Sequence, residues 1–486
     1  MNRLVVCAIL MGGIVASSCK KDGFYAKSDA ALEFSEKTIA FDTVFTCVST
    51  ITRVLRVKNP YRSNIKTDIT LVGGTASYFS LNIDGVPARQ LKDVEIPAQD
   101  SIFIFIKANI NPNGVNNPML ACDTIAFTTN GNRQNVELLA YGQDAHFITP
   151  NDTLFMVYED GSMVLYHCNF VAIDGKEVTW KNDKPYVIYG YAFVGQDAKL
   201  TIEKGTRVYV HKGGMLWVWN GCLEVNGTKD EPVTFQGDRL DKWYDKDYNQ
   251  WDRIWICESG KDSKINYAVI QNAYIGIQAE TIGEKKNNKL LLTNTIIKRS
   301  QKAGLLAKDY TIEASNNVFI EAMEHCVALV QGGDYTFTNN TLYNRYVNRR
   351  TTSSLYISNY YEYYDEKGKI FPVSNDFSGV FINNIIADVI SRGFGFPRDY
   401  DKDKAFSVTF ENCLIQMDST RLESPVTHTN TIFNKDPEFG NVEDYKDLSL
   451  KSSSPCKNAG KAVSWLLTDI EGNSRNASYP SIGAYE

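Results

Sequence analysis

Short runs in which hydrophobic and polar residues alternate predict β-strands along most of this chain. In residues 35–146, turn residues such as Asn59-Pro60 and Asn130-Gly131 separate one run from the next. Short strands at this spacing predict an antiparallel β-sandwich over residues 35–146. Its predicted strands are TIAFDTVFT, TRVLRVKN, DITLVGG, YFSLNI, DVEIPA, SIFIFIKANI, DTIAFTT and NVELLAYG.

A different pattern, an asparagine repeated beside a short β-favouring run, marks the second half of the chain. The runs include NNVFI, NNTLY, NNIIA and ENCLI, and the asparagines follow one another after 22, 23, 23, 44 and 28 residues. A period of this size predicts a solenoid in which each repeat is one coil. The asparagines are Asn272, Asn294, Asn317, Asn340, Asn384 and Asn412.

We interpret these asparagines as a structural ladder rather than as a row of catalytic groups. Asparagine tolerates the left-handed backbone conformation of a tight bend better than other non-glycine residues do. Stacked asparagines also form hydrogen bonds from side chain to backbone along the axis of a solenoid. Coils that pair in parallel, about 4.8 Å apart, give every internal backbone group a partner.

Residues 200–238, LTIEKGTRVYVHKGGMLWVWNGCLEVNGTKDEPVTFQGD, alternate short strands with glycine turns. They resemble the entry coils of right-handed parallel β-helix proteins, and residues 251–277 resemble the next coils. SSSPCKNAG, DIEGNSR and PSIGAYE resemble the closing segment of extracellular β-helices, although Asn458 stands where that family usually has Asp. The resemblance covers roughly residues 185–486 and implies that residues 150–486 form a right-handed parallel β-helix with a C-terminal closing segment.

The composition agrees with an all-β protein, because Tyr and Phe, which favour strands, are abundant at 27 and 24 residues. The order of the runs in residues 35–146 resembles the immunoglobulin-like modules of the bacterial ASPM/SPD-2/Hydin type. The net charge of −6 argues against a nucleic-acid partner, which would need a concentrated basic face.

The N-terminus carries the features of an export signal. Arg3 precedes an apolar stretch at residues 4–15, which is too short to span a bilayer and is typical of a signal peptide. Ala16-Ser17-Ser18 before Cys19 resembles the lipobox of bacterial lipoproteins, which implies that Cys19 is acylated after cleavage. The alternative is an ordinary secretory signal followed by an incidental cysteine.

We therefore predict a signal peptide at residues 1–18, a polar tether at residues 19–34 and a lipid anchor to a membrane. The predicted location is the cell envelope, in the outer membrane. The remaining cysteines form no CxxC pair and the histidines are scattered, so we assign no metal site. Cys47 and Cys122 either form a disulfide or are buried free thiols.

The interval between Asn340 and Asn384 equals two repeats, but it contains an aromatic insertion. Tyrosine has an apolar ring and a polar tip, so clustered tyrosines suit contact with sugar rings. Insertions in solenoids often lie on the binding face. A β-hairpin that packs its aromatic side against the flank of the β-helix is the alternative, and both remain open. The candidate carbohydrate contacts are Arg349, Tyr356, Tyr360, Tyr361, Tyr363 and Tyr364.

Two acidic insertions contain aspartates that offer hard oxygen ligands to Ca²⁺. The second insertion lacks the glycine and glutamate of an EF-hand loop, and Lys402 and Lys404 alternate with its aspartates. We therefore favour solvated loops and predict no cofactor, with Ca²⁺ as the alternative. The aspartates are Asp241, Asp245, Asp247 and Asp252 in the first insertion, and Asp399, Asp401 and Asp403 in the second.

We assign no catalytic residue. Right-handed β-helices include polysaccharide lyases and polygalacturonases, but none of the local signatures of those enzymes is present, and a fold alone does not establish an activity. The leading hypothesis is an envelope lipoprotein whose β-helix binds carbohydrate or another extended polymer. The alternatives are a lyase or glycoside hydrolase acting on acidic polysaccharide, and a structural or protein-binding surface component. The candidate charged groups of the enzyme alternative are Lys298-Arg299, Arg345 with Arg349, and Asp245 with Asp247.

Overall fold

The chain divides into two compact units between Asp144 and Ala145 in the computed structural model. Apart from one 3-10 turn, the regular secondary structure described in both units is β-strand, as the sequence predicts. The structure describes residues 23–45, 52–110, 119–157, 163–240, 244–257, 261–282, 288–346, 348, 350–364, 369–389, 393–396, 401–417, 425–443 and 447–486. The signal peptide and Cys19 lie outside these residues and remain predictions.

The first unit contains two five-stranded sheets, ordered β1-β3-β8-β5-β6 and β2-β10-β9-β4-β7. Neighbouring strands are antiparallel, apart from the parallel pair β2 and β10. A 3-10 turn lies at Gly74–Ala76. The strands are β1 Glu33–Phe34, β2 Thr38–Phe45, β3 Arg53–Lys58, β4 Ile65–Leu71, β5 Phe79–Ile83, β6 Val86–Pro87, β7 Gln90–Ile96, β8 Ser101–Ala108, β9 Met119–Thr129 and β10 Asn132–Gln143.

The alternation in the sequence explains how these sheets share one core. Every second side chain of β8 is buried, and the same holds for β4. Ile104 from one sheet and Ile69 from the other are both fully buried in the same cluster. The predicted sandwich therefore forms, whereas the resemblance to an immunoglobulin-like module stays a prediction.

The second unit is a parallel β-helix, which confirms the predicted fold. One sheet has eleven strands and the other eighteen, and successive coils contribute strands to both. The first of its strands are β11 His146–Ile148, β12 Asp152–Val157, β13 Met163–Ala172, β14 Glu177–Trp180, β15 Tyr186–Ile188, β16 Tyr191–Val194, β17 Lys199–Glu203, β18 Arg207–Val210, β19 Met215–Val218, β20 Cys222–Asn226, β21 Val233–Gly237, β22 Ile254–Cys257, β23 Ser263–Asn266, β24 Ala268–Gln271, β25 Ile275–Glu280, β26 Leu290–Thr293 and β27 Ile296–Ser300.

The later strands of this unit continue the stack, apart from two pairs, β33 with β34 and β42 with β43, that stand outside the large sheets. They are β28 Ala303–Ser315, β29 Val318–Ala322, β30 His325–Thr338, β31 Thr341–Asn344, β32 Leu355–Ile357, β33 Tyr360–Tyr364, β34 Ile370–Ser374, β35 Phe377–Ile382, β36 Ile385–Asp388, β37 Phe394–Gly395, β38 Phe406–Glu411, β39 Leu414–Ile415, β40 Val426–Thr429, β41 Ile432–Phe433, β42 Phe439–Asn441 and β43 Asp447–Leu450.

Each coil places one apolar side chain above the corresponding side chain of its neighbour. In the eleven-stranded sheet this register runs through nine coils, and eight of these nine side chains are almost completely buried. Such a row builds a continuous core, because no coil has to bury its apolar face alone. The row is Val208, Phe235, Ile270, Ile297, Phe319, Leu342, Ile386, Ile415 and the partly buried Phe433.

The predicted asparagine ladder is divided between two adjacent rows and a third corner of the coil. In the inner row, the Asn317 backbone N–H and side-chain amide both donate to Asn340 Oδ1 at 2.9 Å. The backbone N–H and side-chain amide of Asn340 donate in turn to Asn384 Oδ1 at 2.9 and 3.0 Å. These three asparagines are fully buried. Thr295 begins this row and Cys413 ends it.

The outer row supplies the left-handed residues of the bend. Asn294 and Asn412, with φ angles of +50°, belong to this row and not to the inner one. Asn272 lies at another corner, where its side chain donates to the Asp245 carbonyl at 3.1 Å. The prediction that all six asparagines form a single ladder is therefore wrong. The repeat length does not determine which residue of each bend turns inward. The left-handed row is Asn294, Asn316, Asn339, Asn383 and Asn412.

The closing segment at residues 452–486 is tied to the outer row. Arg475 Nη2 donates to Asn316 Oδ1 at 2.7 Å and to the Gly483 carbonyl at 3.1 Å. Asn458 is exposed and has a φ of +55°, a conformation that asparagine adopts more readily than most residues. Asn458 therefore has a structural explanation that needs no chemical role.

No disulfide joins any two of the described cysteines. Cys122 is exposed, whereas Cys168, Cys222, Cys257, Cys326, Cys413 and Cys456 are buried. Cys47 lies outside the described residues, so its predicted pairing with Cys122 remains open. Within the part of the chain that the structure describes, no helix is long and apolar enough to cross a bilayer.

Candidate functional site

The tyrosine-rich insertion forms a β-hairpin against the eighteen-stranded sheet. Strands β33 and β34 pair antiparallel, with Tyr360 opposite Ser374 and Tyr363 opposite Phe371. Tyr356 precedes the hairpin and lies in β32, inside the sheet. The backbone thus takes the hairpin form that the sequence left open. Arg349 and the side chain of Tyr364 lie outside what the structure describes.

The hairpin covers an ion pair on the outer face of the sheet. Glu280 and Lys308 are register partners on β25 and β28, and their side chains approach to 3.1 Å. Their side chains are only 8% and 10% exposed. Lys308 Nζ lies 4.3 Å from the centre of the Tyr361 ring and 5.0 Å from that of Tyr363. The rings stabilise the buried cation, which reduces its desolvation cost.

Tyr363 also fixes the hairpin through its hydroxyl group. The hydroxyl donates to Gln331 Oε1 at 2.7 Å and lies 3.4 Å from Glu280 Oε1. Burial raises the pKa of this phenol above its ordinary value, so it remains a donor at neutral pH. Of the predicted sugar contacts, Tyr363 therefore has a structural role.

Asp401 holds both ends of the hairpin. Its backbone N–H donates to Asn359 Oδ1 at 3.1 Å, immediately before β33. Its carboxylate accepts a hydrogen bond from the Ser374 hydroxyl at the end of β34. That hydrogen bond lowers the pKa of the Asp401 carboxyl. Asp401, predicted as a candidate calcium ligand, thus bridges the base of the insertion.

A cavity of about 330 Å³ lies between the hairpin and the sheet. Its apolar floor consists of the side chains of β28 and β30, which are Ala303, Leu306, Ala328 and Val330. Three of the predicted sugar-contact residues line it: Tyr356, Tyr360 and Tyr361. All three are partly exposed, so their rings are accessible to a ligand. Three of the six predicted sugar-contact residues therefore lie around one concave surface.

The polar lining of the cavity includes a histidine that the sequence analysis did not select. His325 Nδ1 lies 2.7 Å from the Ser353 carbonyl oxygen, and its ring stacks on Tyr356 with centroids 5.2 Å apart. Burial lowers the pKa of His325 to about 4, so the imidazole is neutral at neutral pH. Burial also raises the pKa of Tyr356 to about 12, which keeps that hydroxyl protonated. Lys302, Glu324 and Glu362 complete the lining.

Several charged residues proposed from the sequence meet at a different place, beside β27. Arg299 Nε lies 3.3 Å from Glu321 Oε2, and its Nη1 donates to the Asp245 carbonyl at 3.2 Å. Burial and the charge of Arg299 lower the pKa of neighbouring Lys298. Arg345 instead donates to the Val442 carbonyl. Arg299 and Arg345 therefore make structural contacts.

The acidic insertions do not form a recognisable metal site in the described part of the chain. Among those residues, no three His, Cys, Asp or Glu side chains are placed to hold a metal ion. Asp241 and Asp399 lie outside the described residues, so Ca²⁺ binding by the acidic insertions stays an alternative. The side chain of Asp252 pairs with Arg253 at 2.9 Å.

The sequence does contain a signal for the covered ion pair. Glu280 and Lys308 stand in largely apolar segments, IGIQAE and AGLLAKDY, one coil apart. Charges in such strands need a partner and a cover. His325 has no comparable signal, because the residues that surround it come from three separate segments.

No protein-family model and no curated protein matches this sequence. Among solved structures, XylC in complex with xylose aligns over 95% of this chain and 92% of its own, with 11% identity and a TM-score of 0.31. The catalytic unit of the GH87 α-1,3-glucanase from Streptomyces thermodiastaticus strain HF3-3 aligns over 78% and 75%, with 12% identity and a TM-score of 0.28.

The periplasmic alginate epimerase AlgG aligns over 53% of this chain and 77% of its own, with 9% identity and a TM-score of 0.23. This chain spans less than half, 43%, of a family 123 glycoside hydrolase from Clostridium perfringens. At these identities and TM-scores, the likenesses carry no argument about ligand or activity. The functional argument therefore starts from the cavity.

Proposed function

We propose that the protein binds carbohydrate in the cavity beneath the tyrosine hairpin. The observation that carries the proposal is the convergence of Tyr356, Tyr360 and Tyr361 on one cavity of about 330 Å³. Aromatic rings stack on the apolar face of a sugar, while polar groups around them orient its hydroxyls. Ligand sites of this kind are concave, largely preformed and contain few polar groups.

The proposal places this cavity on an envelope lipoprotein anchored through Cys19. Small residues directly before Cys19 and an apolar stretch that is too short to span a bilayer support the anchor. The outer membrane is the proposed location. A lipid anchor followed by a separate β-unit would hold the β-helix at the membrane surface, where extended polysaccharides are accessible.

A glycan array probed with the full mature chain tests the binding function. Wild type should bind at least one saccharide class, and the double variant Tyr356→Ala/Tyr360→Ala should lose that signal. A matched control is Tyr479→Ala, because Tyr479 is 66% exposed in the closing segment and does not line the cavity. Absence of wild-type binding across the array, or equal binding by the double variant, would refute the proposal.

Hydrolysis of the bound saccharide is the second candidate function. It is favoured by one observation, that two carboxylates, Glu324 and Glu362, line the same cavity. Glycoside hydrolases use a pair of carboxylates on either side of the scissile bond. Incubation with the array-selected oligosaccharide should then release new reducing ends, and Glu324→Gln should abolish the release. An unchanged oligosaccharide would leave binding as the function.

A further inference from the structure

The charges around the cavity favour one class of saccharide over another. Glu324 and Glu362 contribute two carboxylates, while Lys302 is the single cation among the described residues that line the cavity. A carboxylated ligand would therefore meet more negative than positive charge. Hydroxyl groups, in contrast, can donate hydrogen bonds to carboxylates and benefit from the charge of the acceptor.

His325 adds a neutral acceptor to this lining. A carbonyl oxygen can only accept, so the 2.7 Å contact with Ser353 requires the proton to lie on Nδ1. Nε2 then carries the lone pair and is the nitrogen left for a ligand. The stack on Tyr356 and the hydrogen bond to Ser353 fix the orientation of the ring.

The surroundings of His325 keep the imidazole uncharged. Burial lowers the pKa of His325 most, the hydrogen bond to Ser353 raises it, and the charges of Arg350 and Lys302 lower it further. The buried Arg350 is itself paired with Asp388. Glu324 is the neighbouring residue and is exposed. Glu362, on the hairpin, also lines the cavity and is exposed. Protonation of this imidazole would remove the acceptor lone pair of Nε2 and would add a third positive charge near Lys302 and Arg350.

We propose that the cavity selects neutral, hydroxyl-rich saccharides over uronate-containing ones, with His325 Nε2 as the acceptor that orients one sugar hydroxyl. This inference rests on the proposed binding function and names its ligand class. It also opposes the alternative of acidic polysaccharide that the sequence left open. His325 is a specificity-determining residue in this account and transfers no proton.

Matched pairs of oligosaccharides test the selection by charge. Each pair has equal length and linkage and differs only in the C6 group: mannan against mannuronan, glucan against glucuronan, and galactan against galacturonan. Calorimetric titration of the full mature chain should give measurable affinity for a neutral member and at least a tenfold weaker affinity for its uronate partner. Tighter binding of the uronate would overturn the inference and leave the binding function intact. Binding of neither member of any pair, with an array that is also blank, would remove the binding function itself.

Variants at two positions test the role of the histidine. His325→Ala should weaken binding of the neutral sugar by about 2- to 12-fold, the range expected for one neutral hydrogen bond. Tyr479→Ala, at an exposed position outside the cavity, should leave that affinity unchanged. Unaltered affinity in His325→Ala, with the fold verified by its melting temperature, would contradict the assignment.

The pH profile separates an acceptor role from a packing role. Wild-type affinity should stay level at neutral pH and fall as the pH drops through about 4, where His325 gains its second proton. The decisive quantity is the difference between the profiles of wild type and His325→Ala, because every other group of the protein is common to both. The profile of His325→Ala should lack the histidine step, and identical profiles would overturn the proposal.

Discussion

Lys308 Nζ lies 4.3 Å from the centre of the Tyr361 ring, which joins the stacked coils to the inserted hairpin. The same cation pairs with Glu280 on the neighbouring coil at 3.1 Å. Tyr361 in turn lines the cavity. The charge pair therefore positions one wall of the candidate binding site, although neither of its members lines the cavity itself.

Replacing Lys308 by methionine should destabilise the β-helix and loosen the hairpin. Methionine is similar in length but carries no charge, so Glu280 would remain buried without its partner. Breaking a buried pair in this way costs about 3–5 kcal/mol. All seven tryptophans lie between residues 180 and 465, so tryptophan fluorescence during urea unfolding of the full chain reports on the second unit alone.

The double variant Lys308→Met/Glu280→Gln is the control for this prediction. It removes both charges, so its stability should lie closer to wild type than that of the single variant. A single variant that unfolds at the same urea concentration as wild type would show that the pair is not buried as described.

The hairpin should open at acid pH because of Asp401. The hydrogen bond from Ser374 lowers the pKa of Asp401 in the folded protein below the ordinary value of 3.8. A carboxyl with a depressed folded pKa contributes stability above its unfolded pKa and loses that contribution as the pH falls through the folded value. Hydrogen exchange at residues 360–374 should therefore accelerate, relative to the rest of the sheet, below pH about 4.

Asp401→Asn is the matched variant for this effect, because it keeps the shape of the side chain but does not titrate. Its hairpin should exchange faster than wild type at neutral pH and should lack the additional acceleration in acid. An acid response equal to that of wild type would assign the effect to another group.

The two asparagine rows should respond differently to substitution. Asn340 is fully buried and donates to the Ala314 carbonyl at 3.0 Å while its oxygen accepts from Asn317. Asn340→Ala leaves these groups unsatisfied, and we expect a loss of about 2–5 kcal/mol. The readout is the urea midpoint from tryptophan fluorescence.

Asn412→Gly is the comparison from the left-handed row. Glycine adopts the φ of +50° without strain, and the substitution removes the side-chain hydrogen bond to the Ala459 carbonyl at 2.9 Å. We expect a loss of about 1 kcal/mol or less. Equal losses for the two variants would mean that the rows are not distinct.

Much of the fold follows from the sequence, because strand alternation and a regular repeat are local signals. The runs around Ile104 and Phe319 predict buried strands, and both residues are fully buried. The repeat also predicts that Asn317 pairs with Asn340. It does not predict that Asn294 and Asn412 lie one position before the inner row. That displacement depends on which residue of each bend takes a positive φ, and the repeat length carries no information about it.

The candidate site was only partly predictable. The tyrosine cluster was visible as a break in the period, and Tyr356, Tyr360 and Tyr361 do line one cavity. The separation of Tyr363 from this group follows from its contact with Gln331, which is distant in sequence. His325 was missed because its lowered pKa depends on burial and on the charges of Arg350 and Lys302, which only the fold brings together.

The lipid anchor has its own test. Cys19→Ala removes the only thiol at the predicted junction, so the protein should move from the membrane fraction to the soluble fraction of the cell envelope. Cys7→Ala, inside the predicted apolar stretch, is the control and should stay in the membrane fraction. Continued membrane association of Cys19→Ala would contradict the anchor.

The affinity of Tyr356→Ala for the saccharide selected on the array tests the central claim most directly. Calorimetric titration should show binding weakened by about 5- to 30-fold relative to wild type, equivalent to about 1–2 kcal/mol of lost stacking. Tyr479→Ala, which alters an exposed tyrosine outside the cavity, should bind as wild type does. Wild-type affinity in Tyr356→Ala would contradict binding of carbohydrate beneath the hairpin.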